Sequence, residues 1–413
     1  MEASSRLDAH ELATDENQTE SFALNGKGRN VYRSPLRAPL KSLENVSHGP
    51  LHSTYIDTGR FITSPTSSET EKYVLPDEKE LDSVLLNSVP EGSFSDQKNS
   101  SLDISEESFD LNTSKVTEPS HVAIPFFTEE DFRLLSHASK FVKAHPSKED
   151  DDQDPSMVSD YETDIFQYMH ELEMNLAPSP SYMSIQQEID WPTRHLLIDW
   201  IIQVHHYFRL LPETLYLTVN LVDRFLSIKL VSFQKIQLVG LSALLIAFKY
   251  EEIHPPTIYD LGKIVEGVYE LEEIIRAERY MLMLLKFELS WPGPMSFLRR
   301  ISRADSYQYD IRSLSKYLME LTLMDEMFVG GYPSVIAAAS YYLSMQMLGY
   351  TTWTLHHIYY SGLTARQLEP CALGIMECIL DAPNHHRSIF QKYSESRMKR
   401  ISVFAYKWVS SIL

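Results

Sequence analysis

Three pairs of adjacent histidines (His205–His206, His356–His357 and His385–His386) and two cysteines (Cys371 and Cys378) are the side chains in this 413-residue sequence best suited to metal binding or nucleophilic chemistry. Their spacing opposes both. Neighbouring residues on a helix point about 100° apart and share no face, so the histidine pairs make no common metal site. Cys371 and Cys378 are seven positions apart on a predicted helix. That places them roughly 10 Å apart along its axis, beyond the reach of a disulfide. They read as two buried thiols in a reducing compartment. No glycine-rich phosphate loop, H-E-x-x-H or G-x-S-x-G is present. The expectation is a chain without a catalytic group, cofactor or metal.

Three charges stand in otherwise apolar surroundings: Arg194, Asp223 and Lys249. Burying an ion without a partner costs several kcal/mol, so each needs a counter-charge or hydrogen bonds. Arg194 with Asp223 fits a structural pair between two helices. Lys249 ends the most apolar stretch, in IAFKYEE. It needs either a carboxylate, for which Glu278 is the best internal candidate, or the carbonyl groups of a partner.

The elements that carry these residues read as helices throughout. Tyr161, Ile165, Tyr168–Met169 and Leu172 form one stripe of a first helix, and Pro178 and Pro180 follow it. Leu197, Ile201, Val204 and Phe208 mark the next helix, and Leu217, Leu221 and Phe225 a third. Residues 232–249 are nearly all apolar, which predicts a central helix surrounded by others. Pro255–Pro256 ends that unit, and a further helix spans about 272–285. WPGP, at 291–294, is the natural joint between domains. Five more helices follow near 296–304, 312–325, 334–348, 364–380 and 398–410. Ala247…Tyr250 and Ala339…Tyr342 recur 92 residues apart, which hints at a duplicated helical unit. No alternating strand pattern competes.

Composition divides the chain near residue 157. The net charge is −20, from 37 basic and 57 acidic residues. Residues 1–157 hold 15 basic and 29 acidic residues, and 158–413 hold 22 and 28. Most of the acidity therefore lies in the first part, which contains no Trp and is rich in Ser, Thr and Pro. Such a stretch cannot bury enough apolar surface to offset its ordering entropy, so 1–157 reads as a mainly disordered tail. Within it, residues 126–142 suit a short amphipathic helix starting at Thr128, able to dock on the folded part. The run 148–154, KEDDDQD, reads as a solvated linker. An acidic chain opposes direct nucleic-acid binding, which needs clustered Lys and Arg. No apolar run reaches the ~18 residues of a membrane span. The polar, acidic beginning of the sequence is neither a signal nor a transit peptide.

With these features in place, a family resemblance emerges. WPTRHLLIDWIIQVHHYFRLLPETLYLTVNLVDRFLS followed by KIQLVGLSALLIAFKYEEIHPP resembles a cyclin box without gaps from Trp191 to Pro256. YETDIFQYMHELE resembles the helix that precedes it in cyclins. FLRRISRAD, KYLMELTL, PSVIAAASYYL and IFQKYSESRMKRISVFAYKW resemble B-type, G2/mitotic cyclins, fungal ones above all. The resemblance covers about residue 161 to the end. It implies an all-α protein of two consecutive five-helix cyclin folds preceded by an N-terminal helix. The domains are then the tail, 1–157; the helix and first box, 158–290; and the second fold, 291–413.

The resemblance also implies function: a noncatalytic regulatory subunit that binds and activates a cyclin-dependent kinase. Such a subunit holds the kinase's mobile helix inward and so completes its Lys–Glu ion pair. Lys249 and Glu278 match the family's kinase-contacting pair, Phe287 its apolar anchor, and Ile246 and Tyr250 the same surface. The family's groove for Arg-x-Leu motifs of substrates and inhibitors corresponds to Leu196, Leu197, Trp200, Gln203 and Gln237. Here Thr193 and His195 replace the usual Met and Ala, and Gln203 the usual acid, which implies weaker or altered docking. The same stretch also reads simply as the buried face of a helix. In the tail, Arg37, Leu40 and Asn45 match the R-x-x-L-x-x-x-x-N destruction box read by the anaphase-promoting ubiquitin ligase. They lie in a local basic stretch, and Pro39 keeps the chain extended there. Ser34 and Ser64, each before Pro, suit a proline-directed kinase. The family implies nucleus and cytoplasm, although no strong basic import cluster is present. A competing reading is a cyclin-fold transcription or scaffold protein without a cell-cycle kinase.

Overall fold

The computed structural model describes residues 121–145 and 158–412. Fourteen α-helices and no strand occur among them. α1 is Glu129–Ala144 and α2 is Glu162–Asn175. The first five-helix unit comprises α3 (Trp191–Phe208), α4 (Pro212–Ile228), α5 (Ile236–Glu251), α6 (Ile258–Ile264) and α7 (Leu271–Leu284). The second comprises α8 (Pro294–Ser302), α9 (Tyr309–Leu321), α10 (Pro333–Met347), α11 (Leu355–Ser361) and α12 (Ala365–Asp381). Two further helices close the described chain: α13 (Arg387–Ser394) and α14 (Ile401–Ile412).

Each unit is built around one helix that has no polar stripe. α5 is buried at Ile236 and throughout Leu238–Phe248, and α10 at most positions from Pro333 to Met347. A helix apolar on every side can only be satisfied by neighbours on every side, so the other helices wrap it. Gly240 permits the closest approach: a Cβ there would stand 2.8 Å from Leu197 Cδ1 of α3. The shared Ala and Tyr pairs fall at different depths in the two central helices, which start at Ile236 and Pro333.

The ends of the helices follow local chemistry. Asp190 caps α3, accepting the Thr193 N–H at 2.9 Å. Thr128, Thr257 and Thr354 form reciprocal capping boxes with Asp131, Asp260 and His357. α6, α11 and α13, of 7, 7 and 8 residues, were not anticipated from the pattern. Two turns carry too few apolar positions to establish a period. α5 begins at Ile236 rather than 232 because Phe233–Lys235 form a 3-10 turn.

The stripe read on α2 divides: Met169 packs and Leu172 is half-buried, but its other three members are a correction. Tyr161, Ile165 and Tyr168 are exposed, while Phe166, Met169 and His170 pack and Glu173 is buried. Glu173 accepts the Ser334 N–H at 2.9 Å and its hydroxyl at 2.8 Å, binding α2 to the N-terminus of α10. There the carboxylate also meets the positive end of the helix dipole. Glu162 accepts from Arg303 at 3.1 Å, and Asn220 Nδ2 of α4 donates to the Leu176 carbonyl at 3.1 Å. α2 therefore links the two units.

The helix expected after Thr128 lies inside the stretch assigned to a tail, and it is packed. Asp131, buried, accepts from Thr364 Oγ1 at 2.7 Å and pairs with Arg366. Gln367 Nε2 donates to the Phe126 carbonyl at 3.0 Å, and the Tyr332 N–H donates to that of Ala123 at 3.0 Å. α1 and its lead-in thus dock on the second unit. Arg37, Leu40, Asn45, Ser34, Ser64 and the acidic linker lie outside the described residues.

Candidate functional site

Two helix ends build the charged pair. α5 stops at Glu251 because Glu252 turns extended ahead of Pro255–Pro256. Glu252 Oε1 then accepts the Leu211 N–H at 2.8 Å and the Thr214 hydroxyl at 2.5 Å, fixing the exit of α5 to the start of α4. That leaves Lys249 in the last turn of α5, with its Nζ 2.5 Å from Glu278 Oε1 of α7. The two ends of this pair differ in environment. The lysine side chain is 56% exposed and the glutamate side chain 9%. The carboxylate is thus held inside, and the ammonium, with three donors and only one used here, faces solvent.

Phe287 is presented by the end of α7. The Phe287 N–H donates to the Leu282 carbonyl at 3.0 Å, and that of Lys286 to Met283 at 3.1 Å. These two bonds form the Schellman ending of a helix, usually made with glycine. Here Lys286 and Phe287 occupy the left-handed region at φ +53° and +58°. Such residues cost about 1–2 kcal/mol each, which surrounding structure must offset. Arg224, buried in α4, supplies part of that support by donating to the Glu288 carbonyl at 2.7 Å. The result is a large apolar side chain left 69% exposed on a fixed backbone.

Tyr250, beside Lys249, is half exposed, and Ile253, three residues on, is 87% exposed. The sequence reading missed Ile253, Glu252 and Arg224. The apolar residue within the charged KYEEIHPP run was the available signal for the first. Ile246 is a correction: at 2% exposure it belongs to the core and does not line the surface. The exposed face of α2 adds a second apolar stripe, Tyr161, Ile165 and Tyr168.

Arg194 and Asp223 meet in a buried, two-pronged ion pair, Nε–Oδ1 and Nη2–Oδ2 both at 2.8 Å. Tyr182 donates its hydroxyl to the same carboxylate at 2.8 Å. Burial alone would lower the guanidinium, but Asp223 outweighs it and holds Arg194 above its ordinary value. Burial, then the Asp223 charge, pushes the Tyr182 phenol up. This cluster fastens α3 to α4.

The proposed groove for Arg-x-Leu motifs is only partly open. Leu196 is exposed and Gln237 half-buried, whereas Leu197 and Trp200 are buried. Leu197 is a correction, since it is the residue that packs on Gly240. Gln203 donates to Asp199 at 2.8 Å and to Ser388 Oγ of α13 at 3.3 Å, so the second unit engages it. Thr193 donates its hydroxyl to Asp190 at 2.5 Å and serves the α3 cap. His195 stacks on His385 with centroids 3.9 Å apart. No helix among the described residues is long and apolar enough to cross a membrane.

Comparison with known proteins agrees with this architecture. Residues 164–290 match the cyclin N-terminal domain and 292–406 the cyclin C-terminal domain. The two matches meet at the WPGP joint. The chain is 54% identical over 405 residues to the G2/mitotic-specific cyclin cig1 of Schizosaccharomyces pombe, covering 97% of each protein. It is 48% identical over 273 residues to G2/mitotic-specific cyclin-4 of Saccharomyces cerevisiae, covering 66% of this chain and 59% of that one. G2/mitotic-specific cyclin-4 of Candida albicans is 47% identical over 265 residues, covering 64% of this chain and 54% of that protein. Two matched domains and a relative aligned along nearly its full length place the chain, plainly, in the cyclin family.

Proposed function

We propose that this cyclin is the noncatalytic activating subunit of a cyclin-dependent serine/threonine kinase and controls cell-cycle progression. One observation carries the proposal: an exposed ammonium braced by a buried carboxylate, Lys249 on Glu278, next to the exposed apolar side chains Tyr250 and Ile253. Phe287, projected by the turn that ends α7, belongs to the same surface. Exposed apolar side chains grouped beside a braced charge suit a partner surface. The unused donors of Lys249 suit backbone carbonyls of the kinase, and Phe287 suits an apolar pocket. The kinase performs phosphoryl transfer, and this chain contributes position only.

Substrates and inhibitors with Arg-x-Leu motifs dock through Leu196 and Gln237, above the buried Trp200. Gln203 in place of an acid weakens the hold on the motif's arginine. The anaphase-promoting ubiquitin ligase reads Arg37, Leu40 and Asn45, and destruction ends the activity. Ser34 and Ser64 are sites for proline-directed phosphorylation. The protein works in nucleus and cytoplasm and contacts neither nucleic acid nor membrane.

The test is co-purification of the full chain with its kinase, followed by histone phosphorylation. Phe287→Ala, which removes an exposed side chain and spares the core, should weaken binding more than tenfold, as loss of a buried interface anchor does. Full activity in that variant, with Lys249→Ala also active, would overturn the reading. Failure of any kinase to co-purify would favour a cyclin-fold scaffold instead.

A further inference from the structure

His385 and His386 lie outside the helices, so the divergence of about 100° between helical neighbours does not describe them. They lie in the connection between α12 and α13, and they part company there: His385 is exposed and His386 is fully buried. Neither ring nitrogen of His386 has a hydrogen-bond partner. Leaving a buried donor or acceptor unmade is costly, and imidazole offers one of each. Buried polar groups without protein partners are where proteins hold an ion or an ordered water.

The surroundings of His386 decide between those two. Cys378 of α12 and Asp325, which follows α9, each bring one ligand atom, and the three ligand atoms lie within 4.8 Å of one another. Cys378 Sγ donates to Asp325 Oδ2 at 3.6 Å. Asp325 Oδ1 is occupied, accepting the Met327 N–H at 2.9 Å, so Oδ2 is the free face of the carboxylate. A tetrahedral zinc with Zn–S of about 2.3 Å and Zn–O of about 2.1 Å sets its sulfur and oxygen ligands about 3.6 Å apart. The sulfur and oxygen already stand at that separation, and an imidazole nitrogen of His386 lies within 4.8 Å of both.

We propose that Asp325, Cys378 and His386 form a structural site for a zinc-class divalent cation, at the seam where α13 joins the second unit. Thiolate, imidazole and carboxylate together are a zinc donor set rather than one for magnesium or calcium. As the cation enters, the Cys378 thiol releases its proton to solvent, and the S–H···Oδ2 bond is replaced by two metal–ligand bonds. One thiolate and one carboxylate then neutralise the divalent charge, which is what a buried site requires. The fourth position is left for water. The bound cation would tie the start of α13 to α9 and α12. α13 is the helix whose Ser388 engages Gln203 of the first unit.

The proposal does not depend on a kinase, and neither does its test. Full-length protein, freed of metal by a chelator, is titrated with cobalt(II) chloride. A folded site gives a thiolate-to-cobalt charge-transfer band in the near ultraviolet that saturates at one equivalent and is displaced by zinc. The band should be lost in Cys378→Ser and kept in Cys371→Ser, which changes the other buried thiol of α12. Asp325→Asn, which can still cap Met327 through its amide oxygen, should weaken cobalt at least tenfold. It keeps the test decisive if Cys378→Ser folds poorly by circular dichroism. No band in the folded wild-type chain, or a band that survives Cys378→Ser, would overturn the site, leaving His386 to an ordered water.

Discussion

Truncating Lys249 and truncating Glu278 should have unequal effects on stability, although each removes half of one ion pair. The 2.5 Å contact joins an ammonium that is 56% exposed to a carboxylate that is 9% exposed. In Glu278→Ala the lysine loses its partner but keeps water, so the cost approaches that of an exposed pair, about 0–1 kcal/mol. In Lys249→Ala the carboxylate stays buried without its cation. That cost is a desolvation penalty of about 1–3 kcal/mol. The double variant should resemble Glu278→Ala alone, because the stranded charge is then gone. The cycle therefore closes with a coupling equal in size to the Lys249→Ala cost, about 1–3 kcal/mol. Urea titrations followed by tryptophan fluorescence report it, since Trp191 and Trp200 lie in α3 of the same unit. Equal costs in the two single variants, or a larger one for Glu278→Ala, would refute the assignment of the buried end. Kinase binding should fall in both, which separates the interface role from the structural one.

Arg194→Ala should lower stability by about 3–5 kcal/mol, as breaking a fully buried pair does, visible as a shift of the denaturation midpoint. Gly240→Ala places a methyl 2.8 Å from Leu197 Cδ1. The leucine tip must move, and a cost of about 1–3 kcal/mol should appear in the same titration. Docking of α1 should weaken in acid. Burial would raise the Asp131 carboxyl, but hydrogen bonds from Thr128, Thr364 and Arg366 outweigh it and hold it at about 2. A depressed carboxyl contributes its full stabilisation above its unfolded value near 3.9 and loses it as pH falls from there through about 2. Protection of 129–144 against hydrogen exchange, taken relative to the intrinsic rate at each pH, should therefore fall between about pH 4 and pH 2, and Asp131→Asn should show that lower protection already at pH 7.

Helical content, the two central helices and the joint at WPGP were legible because each rests on a local pattern. A run almost without polar residues, such as 236–248, has one physical outcome: burial on nearly all sides. The pairing of Arg194 with Asp223 was legible for a similar reason, since a buried charge demands a partner and few candidates existed. The short helices α6, α11 and α13 were not legible, because two turns do not display a period. Nor was the working face of α2. Its apolar stripe, Tyr161, Ile165 and Tyr168, points to solvent, while a charged residue, Glu173, is the one buried. A carboxylate is buried there only because the N-terminus of α10 supplies its donors, and nothing in the local sequence states that.

The sequence by itself determined the helical class, the longer helices and which charges require company. It also determined the family, through a gap-free stretch of motif residues from Trp191 to Pro256. Only the tertiary structure decided exposure and neighbourhood. It placed Ile246 and Leu197 in the core although both sit beside surface residues. It raised Phe287 into solvent on a left-handed turn, and it docked 121–145 on the second unit. It also brought Asp325, Cys378 and His386 within 4.8 Å from three separate elements. The reason is common to all of these: helical spacing specifies which residues share a face, but which face meets another helix depends on contacts between segments far apart in sequence.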